Sequence, residues 1–312
     1  MPASPNSLQA RDIAYHLHPM TNLKAHESVG PQVVARGEGV YVFDIDGNRY
    51  LEGLAGLWCA SLGFSEQRLV DAAARQMAEL PYYHNFGHRT SRPVIALAEK
   101  LVSIAPAGLT KAFFASSGSE ANESMIKIAW YYNNALGRPE KKKIFARRFG
   151  YHGVTLAAAS LTGLAYMHDG FDLPRGFARH TETPHYWLLK QSGESEETFS
   201  DRLVAQLEAE ILAEGPETVA AFIAEPVIGS GGVILPPATY FEKIQALLKR
   251  HDILFIADEV ICGFGRTGSM FGSETYGLKP DMMTLAKGLS SGYQPISAGL
   301  VSQPIYEAVR DL

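Results

Sequence analysis

The sequence predicts an α/β protein in which a large domain, built on a mainly parallel β-sheet, follows a smaller, incomplete N-terminal α+β lobe. Two patterns support this fold class. Short apolar strands alternate with amphipathic helices from residue 66 onwards, and polar, glycine-rich segments follow several of those strands. Helices that cover both faces of such a sheet leave its strands apolar throughout, as they are here.

The N-terminal lobe, residues 1–65, is predicted to begin with a polar arm and to continue as a β-hairpin. In "GVYVFDIDGNRYLEG", Val40–Phe43 and Arg49–Leu51 flank a turn rich in Asp and Gly. This arrangement is typical of two antiparallel strands. The remaining residues, 66–312, are assigned to the large domain.

Helices and strands of the large domain are predicted from the spacing of their apolar residues. In "SEANESMIKIAWYYNNALG", for example, Met125, Ile128 and Ala129 recur at helical spacing. Other predicted helices are "RLVDAAARQMAEL", "RPVIALAEKLVSIA" and "TYFEKIQALLKRHD", and the predicted strands are "KAFFAS", "KKIFAR", "VAAFIAEPV", "LFIAD" and "ISAGLVS". We interpret "PDMMTLAKGLS" as a short strand or turn before a loop, and Lys190–Ser200 as a solvated loop.

Composition and charge exclude several classes of protein. The chain has 312 residues, of which 46% are hydrophobic and 20% charged, and a formal net charge of −5. This is ordinary for a soluble protein with a large core, and it gives no basic patch for nucleic acid. No apolar run approaches the length of a membrane span. Cys59 and Cys262 lie in apolar stretches without metal-ligand spacing, so we expect reduced thiols, a cytoplasmic location and no bound metal.

The predicted strand "LFIAD" runs directly into two carboxylates, Asp258 and Glu259. A carboxylate at the end of a buried strand must be neutralised, hydrogen-bonded or close to a cation. Ligands of parallel sheets bind beyond the carboxyl ends of the strands. The sequence therefore raises the question of which cation faces Asp258.

A second strand end carries a possible phosphate site. In "FFASSGSEANE", Ser117 precedes Glu120 by three residues, which is a capping-box pattern. Gly118 would let a ligand approach the backbone, and the free N–H groups of the first helical turn bind phosphate. The alternative is a well-capped helix without a ligand.

Three further strand ends carry Tyr151 and His152, Glu225, and Lys287. Each has an ordinary explanation: a turn with a packed aromatic ring, a hydrogen-bonded structural carboxylate, and a solvated lysine. Lys287, however, is flanked by apolar residues in "TLAKGL", and a partly buried lysine is a nucleophile suited to Schiff-base formation.

Together these groups match the requirements of pyridoxal phosphate. A lysine forms the covalent link, a helix N-terminus binds the phosphate, an aromatic ring stacks on the cofactor, and an acid keeps the pyridine nitrogen protonated. On this interpretation the cation that faces Asp258 is the pyridinium, and the charged ring can accept carbanion electrons.

The order and spacing of the motifs resemble those of the class III aminotransferases, the ω-transaminase branch of fold type I pyridoxal-phosphate enzymes. The resemblance covers essentially the whole chain and is greatest to the amine:pyruvate or β-alanine:pyruvate transaminase group. It implies an aspartate-aminotransferase-like large domain and a small domain formed by both chain ends. The motifs are "YHLHP", "LEGLAGLWCASLGF", "SSGSEANE", "GYHGVT", "EPVIGSGGV", "PPATYF", "ADEVICGFGRTG" and "AKGLSSGYQPISA".

The resemblance also implies roles for individual residues. Lys287 would be the Schiff-base lysine and would carry the proton between substrate and cofactor, and Asp258 would hold the pyridine nitrogen. The other implied cofactor-binding residues are Ser117, Gly118 and Ser119 at the phosphate, Tyr151 and Val260 on the two faces of the ring, His152 beside it, and Glu225 near Asp258 and the phenolic oxygen. The implied substrate pocket consists of Trp58, Phe86, Tyr151 and Ile228.

The implied substrates are an amine or ω-amino acid as donor and pyruvate or a similar keto acid as acceptor, and the implied assembly is a homodimer with shared active sites. Family members continue beyond the equivalent of Leu312, so we expect this chain to lack the second half of the small domain. Another pyridoxal-phosphate reaction on the same fold (decarboxylase, racemase or aminomutase) and a non-catalytic homologue are the alternatives.

Overall fold

The computed structural model describes residues 6–311. The chain divides into two compact units, Met1–Glu79 and Leu80–Leu312. The first unit therefore includes the helix Gln67–Glu79, which the sequence analysis placed beyond a boundary at residue 65. The assignment of the two parts to a small and a large domain stays a prediction.

The first unit contains a three-stranded antiparallel sheet and four helical segments. Tyr41 pairs with Leu51 across the central and last strands, which confirms the predicted hairpin. The strands are β1 (Val34–Glu38), β2 (Tyr41–Asp44) and β3 (Arg49–Leu51), and the helices are α1 (Leu8–Tyr15), α2 (Leu23–Val29), α3 (Ala55–Trp58) and α4 (Gln67–Glu79).

The predicted polar arm folds locally, because α1 and α2 lie within it. Each helix begins at a side chain that accepts a hydrogen bond from its first turn. Ser7 Oγ accepts from the N–H of Ala10 at 3.1 Å, and Asn22 Oδ1 accepts from the N–H of Ala25 at 2.9 Å. Such caps satisfy donors that the helix itself cannot satisfy.

The second unit is built on a seven-stranded sheet. Its strands are β4 (Leu109–Ala115), β5 (Lys143–Arg147), β6 (Ala178–Thr181), β7 (Val219–Ala224), β8 (Leu254–Asp258), β9 (Met282–Leu285) and β10 (Ser297–Ser302). They lie in the order β4-β10-β9-β8-β7-β5-β6. Only β10 runs antiparallel to its neighbours, and every other adjacent pair is parallel. The predicted mainly parallel sheet is confirmed.

Helices pack on both faces of this sheet. Along β7, Phe222 contributes to an apolar cluster with residues of α9 and α10, whereas Ile223 contributes to one with residues of α6. The alternation follows from the two-residue period of a strand. The helices are α5 (Arg92–Ile104), α6 (Gly118–Ala135), α7 (Leu156–Leu161), α8 (Tyr186–Leu189), α9 (Glu196–Glu214), α10 (Tyr240–Arg250), α11 (Gly272–Thr275) and α12 (Gln303–Val309), with short 3-10 turns at Ala165–Met167, Arg175–Phe177, Pro216–Thr218 and Lys287–Leu289.

One predicted loop is partly wrong. Lys190–Ser200 was expected to be solvated loop, but α9 begins within it, at Glu196. Ser195 caps this helix by accepting a hydrogen bond from the N–H of Thr198 at 3.2 Å, and acidic residues follow in the first turn, where the helix dipole favours them. The polar composition that suggested a loop is that of a helix N-terminus.

Both cysteines are free thiols. Cys262 is buried, as predicted, whereas Cys59 is partly exposed. Within residues 6–311, no helix combines the length and the apolar character needed to cross a membrane.

Candidate active site

Asp258 ends β8 and is buried, with three hydrogen-bond donors around its carboxylate. Oδ2 accepts from Asn122 Nδ2 and from His152 Nδ1, each at 2.8 Å. Oδ1 accepts from the backbone N–H of Val260 at 3.1 Å. An ionised carboxylate offers about four lone-pair sites, so one acceptor position of Asp258 has no donor among these three.

His152 is held in place from both its backbone and its ring. Its N–H donates to Thr162 Oγ1 at 2.9 Å, and its carbonyl oxygen accepts from Asn122 Nδ2 at 2.7 Å. Its Nε2 is buried and has no hydrogen-bond partner among the described residues. Because buried polar atoms are rarely unpaired, Nε2 marks a position for a polar group of a ligand or for water.

Asn122 joins Asp258 to His152, and the sequence analysis missed it. The residue lies in α6 and is buried. The signal was present in the spacing: residues four apart share one face of a helix, and Asn122 follows Gly118 by one such step. The amide therefore points from the first turns of α6 towards the end of β8.

Glu225, directly after β7, is a second buried carboxylate. Its Oε1 accepts from the N–H of Tyr151 at 3.0 Å, and its Oε2 accepts from the N–H of Gly229 at 2.9 Å. Burial raises the pKa of the Glu225 carboxyl group above its ordinary value; His152 opposes this shift and the charge of Asp258 adds to it. The two backbone bonds fix Glu225 and also hold the loop that carries Tyr151.

Glu259 has a structural role. It is fully buried, and its carboxylate accepts hydrogen bonds from Gly272 N–H at 2.9 Å and from Ser273 N–H and Oγ at 2.5 and 2.6 Å. These donors belong to α11. Burial raises the pKa of the Glu259 carboxyl group, and the bonds from Ser273 oppose the shift.

The N-terminus of α6 has the predicted capping box. Ser117 Oγ accepts from Glu120 N–H at 3.2 Å, and Glu120 Oε2 accepts from the N–H groups of Ser116 and Ser117 at 2.7 and 3.0 Å. Gly118 and Ser119 follow as the first helical residues, whose N–H groups have no acceptor within the helix. The donors available to an anion here are therefore those of Gly118 and Ser119.

Two glycines let the segments around this helix end come close together. A Cβ added at Gly118 would lie 3.0 Å from a methyl group of Val260. A Cβ added at Gly153, whose φ is +134°, would lie 2.5 Å from Ser119 Oγ and 2.8 Å from Ser119 Cα. Ser119 Oγ accepts from the N–H of Val154 at 3.0 Å. The segment after β5 thus packs directly on the first turn of α6.

Lys287 follows β9, the parallel neighbour of β8. Thr284 of β9 pairs with Asp258 of β8, so both strands end at the same edge of the sheet. Lys287 is half-buried and has φ of +41°, a strained value for a residue with a side chain. Its ammonium group has no hydrogen-bond or ion-pair partner among the described residues.

The residues of the implied substrate pocket lie in different surroundings. Tyr151 is half-buried, and burial raises the pKa of its hydroxyl group. Ile228 is fully buried, whereas Phe86 is 81% exposed. Trp58 belongs to the first unit. The roles of these four residues stay predictions.

Comparisons with known proteins agree with this arrangement. The sequence profile of the family described as class-III aminotransferase matches residues 23–312. The chain belongs to the class III aminotransferase family. Members of this family are pyridoxal-phosphate-dependent enzymes.

Related proteins and structures include plant and bacterial transaminases. The chain is 59% identical over 280 residues to vanillin aminotransferase of Capsicum frutescens, covering 89% of this chain and 61% of the relative. It is 55% identical over 310 residues to the chloroplastic γ-aminobutyrate transaminase 3 of Solanum lycopersicum, covering 97% and 60%. An ω-transaminase from Pseudomonas jessenii, in complex with PMP, superposes with a TM-score of 0.97 at 57% identity, covering 98% of this chain and 67% of that chain. The chain thus spans about 60% of the length of these curated relatives.

The donors and acceptors at the sheet edge fit pyridoxal phosphate. The remaining acceptor site of Asp258 suits a protonated ring nitrogen, and the first-turn N–H groups of Gly118 and Ser119 suit a phosphate. Lys287 supplies an amine without an ionic partner. Ser117 uses its N–H within the capping box, and its Oγ accepts a hydrogen bond there, which leaves the hydroxyl hydrogen as a donor; the role of Ser117 at the cofactor stays a prediction.

Proposed function

We propose that the protein is a pyridoxal-phosphate-dependent aminotransferase that moves an amino group from an amine or ω-amino acid to pyruvate or a similar keto acid. The observation that carries this proposal is the position of Asp258 and Lys287 at the carboxyl ends of two adjacent parallel strands. Asp258 is the last residue of β8, and Lys287 follows β9 by two residues. A lysine without an ionic partner and a buried carboxylate with a remaining acceptor site are the two groups this chemistry requires.

The bound cofactor would supply an electron sink for the substrate carbon that loses a proton. The chain's own residues supply the rest. Asp258, fixed by Asn122 and His152, would accept a hydrogen bond from the ring nitrogen and favour its protonated form. Lys287 Nζ would bind the cofactor covalently and then, once displaced by the substrate amine, carry a proton between the reacting atoms.

The remaining assignments concern the phosphate of the cofactor, the two faces of its ring and its phenolic oxygen. Gly118 and Ser119 would bind the phosphate, Tyr151 and Val260 would cover the two faces of the ring, and His152 would lie beside it. Support for Val260 comes from the proximity of its methyl group to Gly118, the first residue of α6. Glu225 would lie near the phenolic oxygen.

The names of the related proteins support the donor class. Two are vanillin and γ-aminobutyrate transaminases, and one matched structure is described as a transaminase with L-alanine. Vanillin is an aldehyde and γ-aminobutyrate is an ω-amino acid, so in both cases the reacting carbon carries no carboxylate. We propose the same substrate class for this chain, with a pocket formed by Trp58, Phe86, Tyr151 and Ile228.

Assembly and location are also proposals. We propose a homodimer with shared active sites, in which residues 1–65 form part of a small domain and residues 66–312 the large domain. Light scattering would give the mass of the assembly. We further propose the cytoplasm as its location, although relatives are described as chloroplastic and mitochondrial; cell fractionation distinguishes these compartments.

The experiment that tests the function compares Lys287→Ala with Lys279→Ala, a substitution of an exposed lysine in the same part of the chain. Lys287→Ala should abolish amine:pyruvate turnover while the protein still folds, and the visible absorbance of lysine-bound cofactor should disappear. Lys279→Ala should behave as wild type. Turnover of Lys287→Ala close to wild type would refute the assignment.

The same protein separates transamination from the other reactions of this fold. When an amine is supplied without keto acid, a transaminase converts its bound cofactor to pyridoxamine phosphate in a stoichiometric half-reaction. A decarboxylase or racemase regenerates the original cofactor form. A non-catalytic homologue shows no spectral change with any donor.

A further inference from the structure

A cluster of histidines around one carboxylate lies in the first unit and has no part in the proposed reaction. Asp12 of α1 contacts three imidazole rings. His16 Nδ1 lies 3.1 Å from Oδ1, His18 Nε2 lies 2.7 Å from Oδ2, and His26 Nε2 lies 3.0 Å from Oδ2. His16 and His18 are the two histidines of the sequence motif "YHLHP".

We propose that Asp12, His16, His18 and His26 form a binding site for a zinc ion. One oxygen of Asp12 and one nitrogen each of His16 and His18 lie within 4.8 Å of one another. In the part of the chain between residues 6 and 311, this is the one group of three or more such side chains close enough to share an ion. This site departs from the sequence analysis, which expected no metal.

The donor set suits zinc in number and kind. Zinc binds imidazole nitrogen and carboxylate oxygen, almost always with four tetrahedral ligands in structural sites. Zinc–ligand bonds of about 2.0–2.1 Å place neighbouring ligand atoms about 3.3 Å apart. The separations between Asp12 and the three rings, 2.7–3.1 Å, are slightly shorter than this value, so small side-chain rotations would turn the nitrogens from the carboxylate towards a shared ion.

The backbone arrangement favours the same set of ligands. Asp12 lies in α1 and His16, four residues later, is the residue that ends the helix, so both side chains lie near its C-terminal end. His18 follows after one residue, and its ring centroid lies 4.0 Å from that of His16 and 4.2 Å from that of His26. Because His26 belongs to α2, a bound ion would add to the contact between His26 and Asp12 that already connects α2 to α1.

Burial differs among the four ligands in a way that allows metal entry. The side chains of Asp12, His18 and His26 are 21%, 22% and 12% exposed, whereas that of His16 is 58% exposed. Three ligands are thus largely shielded from water, and His16 can close the site from outside. Ion binding by such a set contributes directly to the stability of the segment that supplies the ligands.

The test is a zinc titration of the untagged protein, stripped with a chelator and dialysed, in competition with a chromophoric zinc indicator. The wild-type protein should bind one zinc ion per chain at this site, with a higher affinity than any other site on its surface. His18→Gln and Asp12→Asn should each weaken binding at least about tenfold. His251→Gln is the matched control, because it removes a single histidine–carboxylate pair, His251 with Glu208 at 3.0 Å, and it should leave the affinity unchanged.

A spectroscopic measurement on wild type makes the result independent of how the variants fold. Cobalt in place of zinc should give the intense visible bands of a tetrahedral site, and X-ray absorption of the zinc-loaded protein should show imidazole ligands. Octahedral cobalt spectra, a zinc shell without imidazole, or equal affinities for wild type and His18→Gln would each overturn the proposal.

Discussion

The buried amide of Asn122 provides the sharpest test of how the candidate active site is held together. We predict that Asn122→Leu lowers the free energy of unfolding by about 2–4.5 kcal/mol. Asn122 Nδ2 donates to Asp258 Oδ2 at 2.8 Å and to the carbonyl of His152 at 2.7 Å. A hydrogen bond to a charged group contributes about 1.5–3 kcal/mol and one to a neutral group about 0.5–1.5 kcal/mol. Leucine keeps the approximate volume and removes both bonds.

The matched control lies on the same helix. Asn133 is also buried in α6, but its Nδ2 donates only to the carbonyl of Ala129, at 2.9 Å. Asn133→Leu should therefore cost only the smaller amount, about 0.5–1.5 kcal/mol. Urea unfolding followed by circular dichroism gives both values under the same conditions.

The same pair of variants also separates a role in stability from a role at the site. Asn122→Leu removes one hydrogen-bond donor from Asp258 and the donor to the backbone carbonyl of His152. Cofactor affinity should therefore fall as well as stability. Asn133→Leu should leave cofactor affinity unchanged. Equal destabilisation by the two substitutions, with equal cofactor affinity, would show that the contact between Asn122 and Asp258 is not what orders this site.

Three further substitutions test separate parts of the site. Asp258→Asn should fold but react at least about 10²-fold more slowly in the half-reaction, because an amide cannot hold the ring nitrogen protonated; unchanged half-reaction kinetics would make Asp258 structural. Gly153→Ala should lose at least about 1–3 kcal/mol of stability, since its Cβ would lie 2.8 Å from Ser119 Cα at a φ of +134°; a urea midpoint like that of wild type would contradict the close packing. Burial raises the pKa of the Glu259 carboxyl group above its ordinary value of 4.5. The stability that this shift contributes is therefore fully present below pH 4.5, and it is lost as the pH rises through the higher pKa of the folded state. The stability difference between wild type and Glu259→Gln should therefore shrink as pH rises, and a constant difference across urea titrations at several pH values would refute the shift.

The sequence predicted the sheet and the capping box because both depend on local patterns. Most strands of the second unit contain short apolar runs, and the capping box needs only Ser117 and Glu120 at a fixed spacing. Strand β6 was not predicted, because its sequence, Ala178–Thr181, includes Arg179 and His180 and has no apolar run. The reversed direction of β10 could not be predicted, because "ISAGLVS" has the same apolar character as the parallel strands of the sheet. Helix α9 (Glu196–Glu214) was not predicted, and its start was assigned to a loop because a polar, capped helix N-terminus resembles a loop in composition.

The partners of the site residues were harder to predict than the residues themselves. Asp258 was identified from its position after a strand, yet its donors come from Asn122, 136 positions away in the chain, and from His152, 106 positions away. Such contacts follow from how the strands and α6 are arranged in three dimensions. The helical spacing of apolar residues predicted which face of α6 is buried, but it did not predict that this face contacts the carboxylate of Asp258.

The structure gives different roles to Asp258, the last residue of β8, and to Glu259, which follows it. Glu259 receives three hydrogen bonds from Gly272 and Ser273, so its partners are complete within the fold. The carboxylate of Asp258 accepts hydrogen bonds from Asn122, His152 and Val260, none of which carries a permanent positive charge. The charge of Asp258 contributes to the raised pKa of both Glu225 and Glu259. A positively charged ring nitrogen at the remaining acceptor site of Asp258 would offset that charge. On the proposed placement of the cofactor, the charge of Asp258 would favour the protonated form of the ring nitrogen, which is the form that accepts electrons from the substrate carbon.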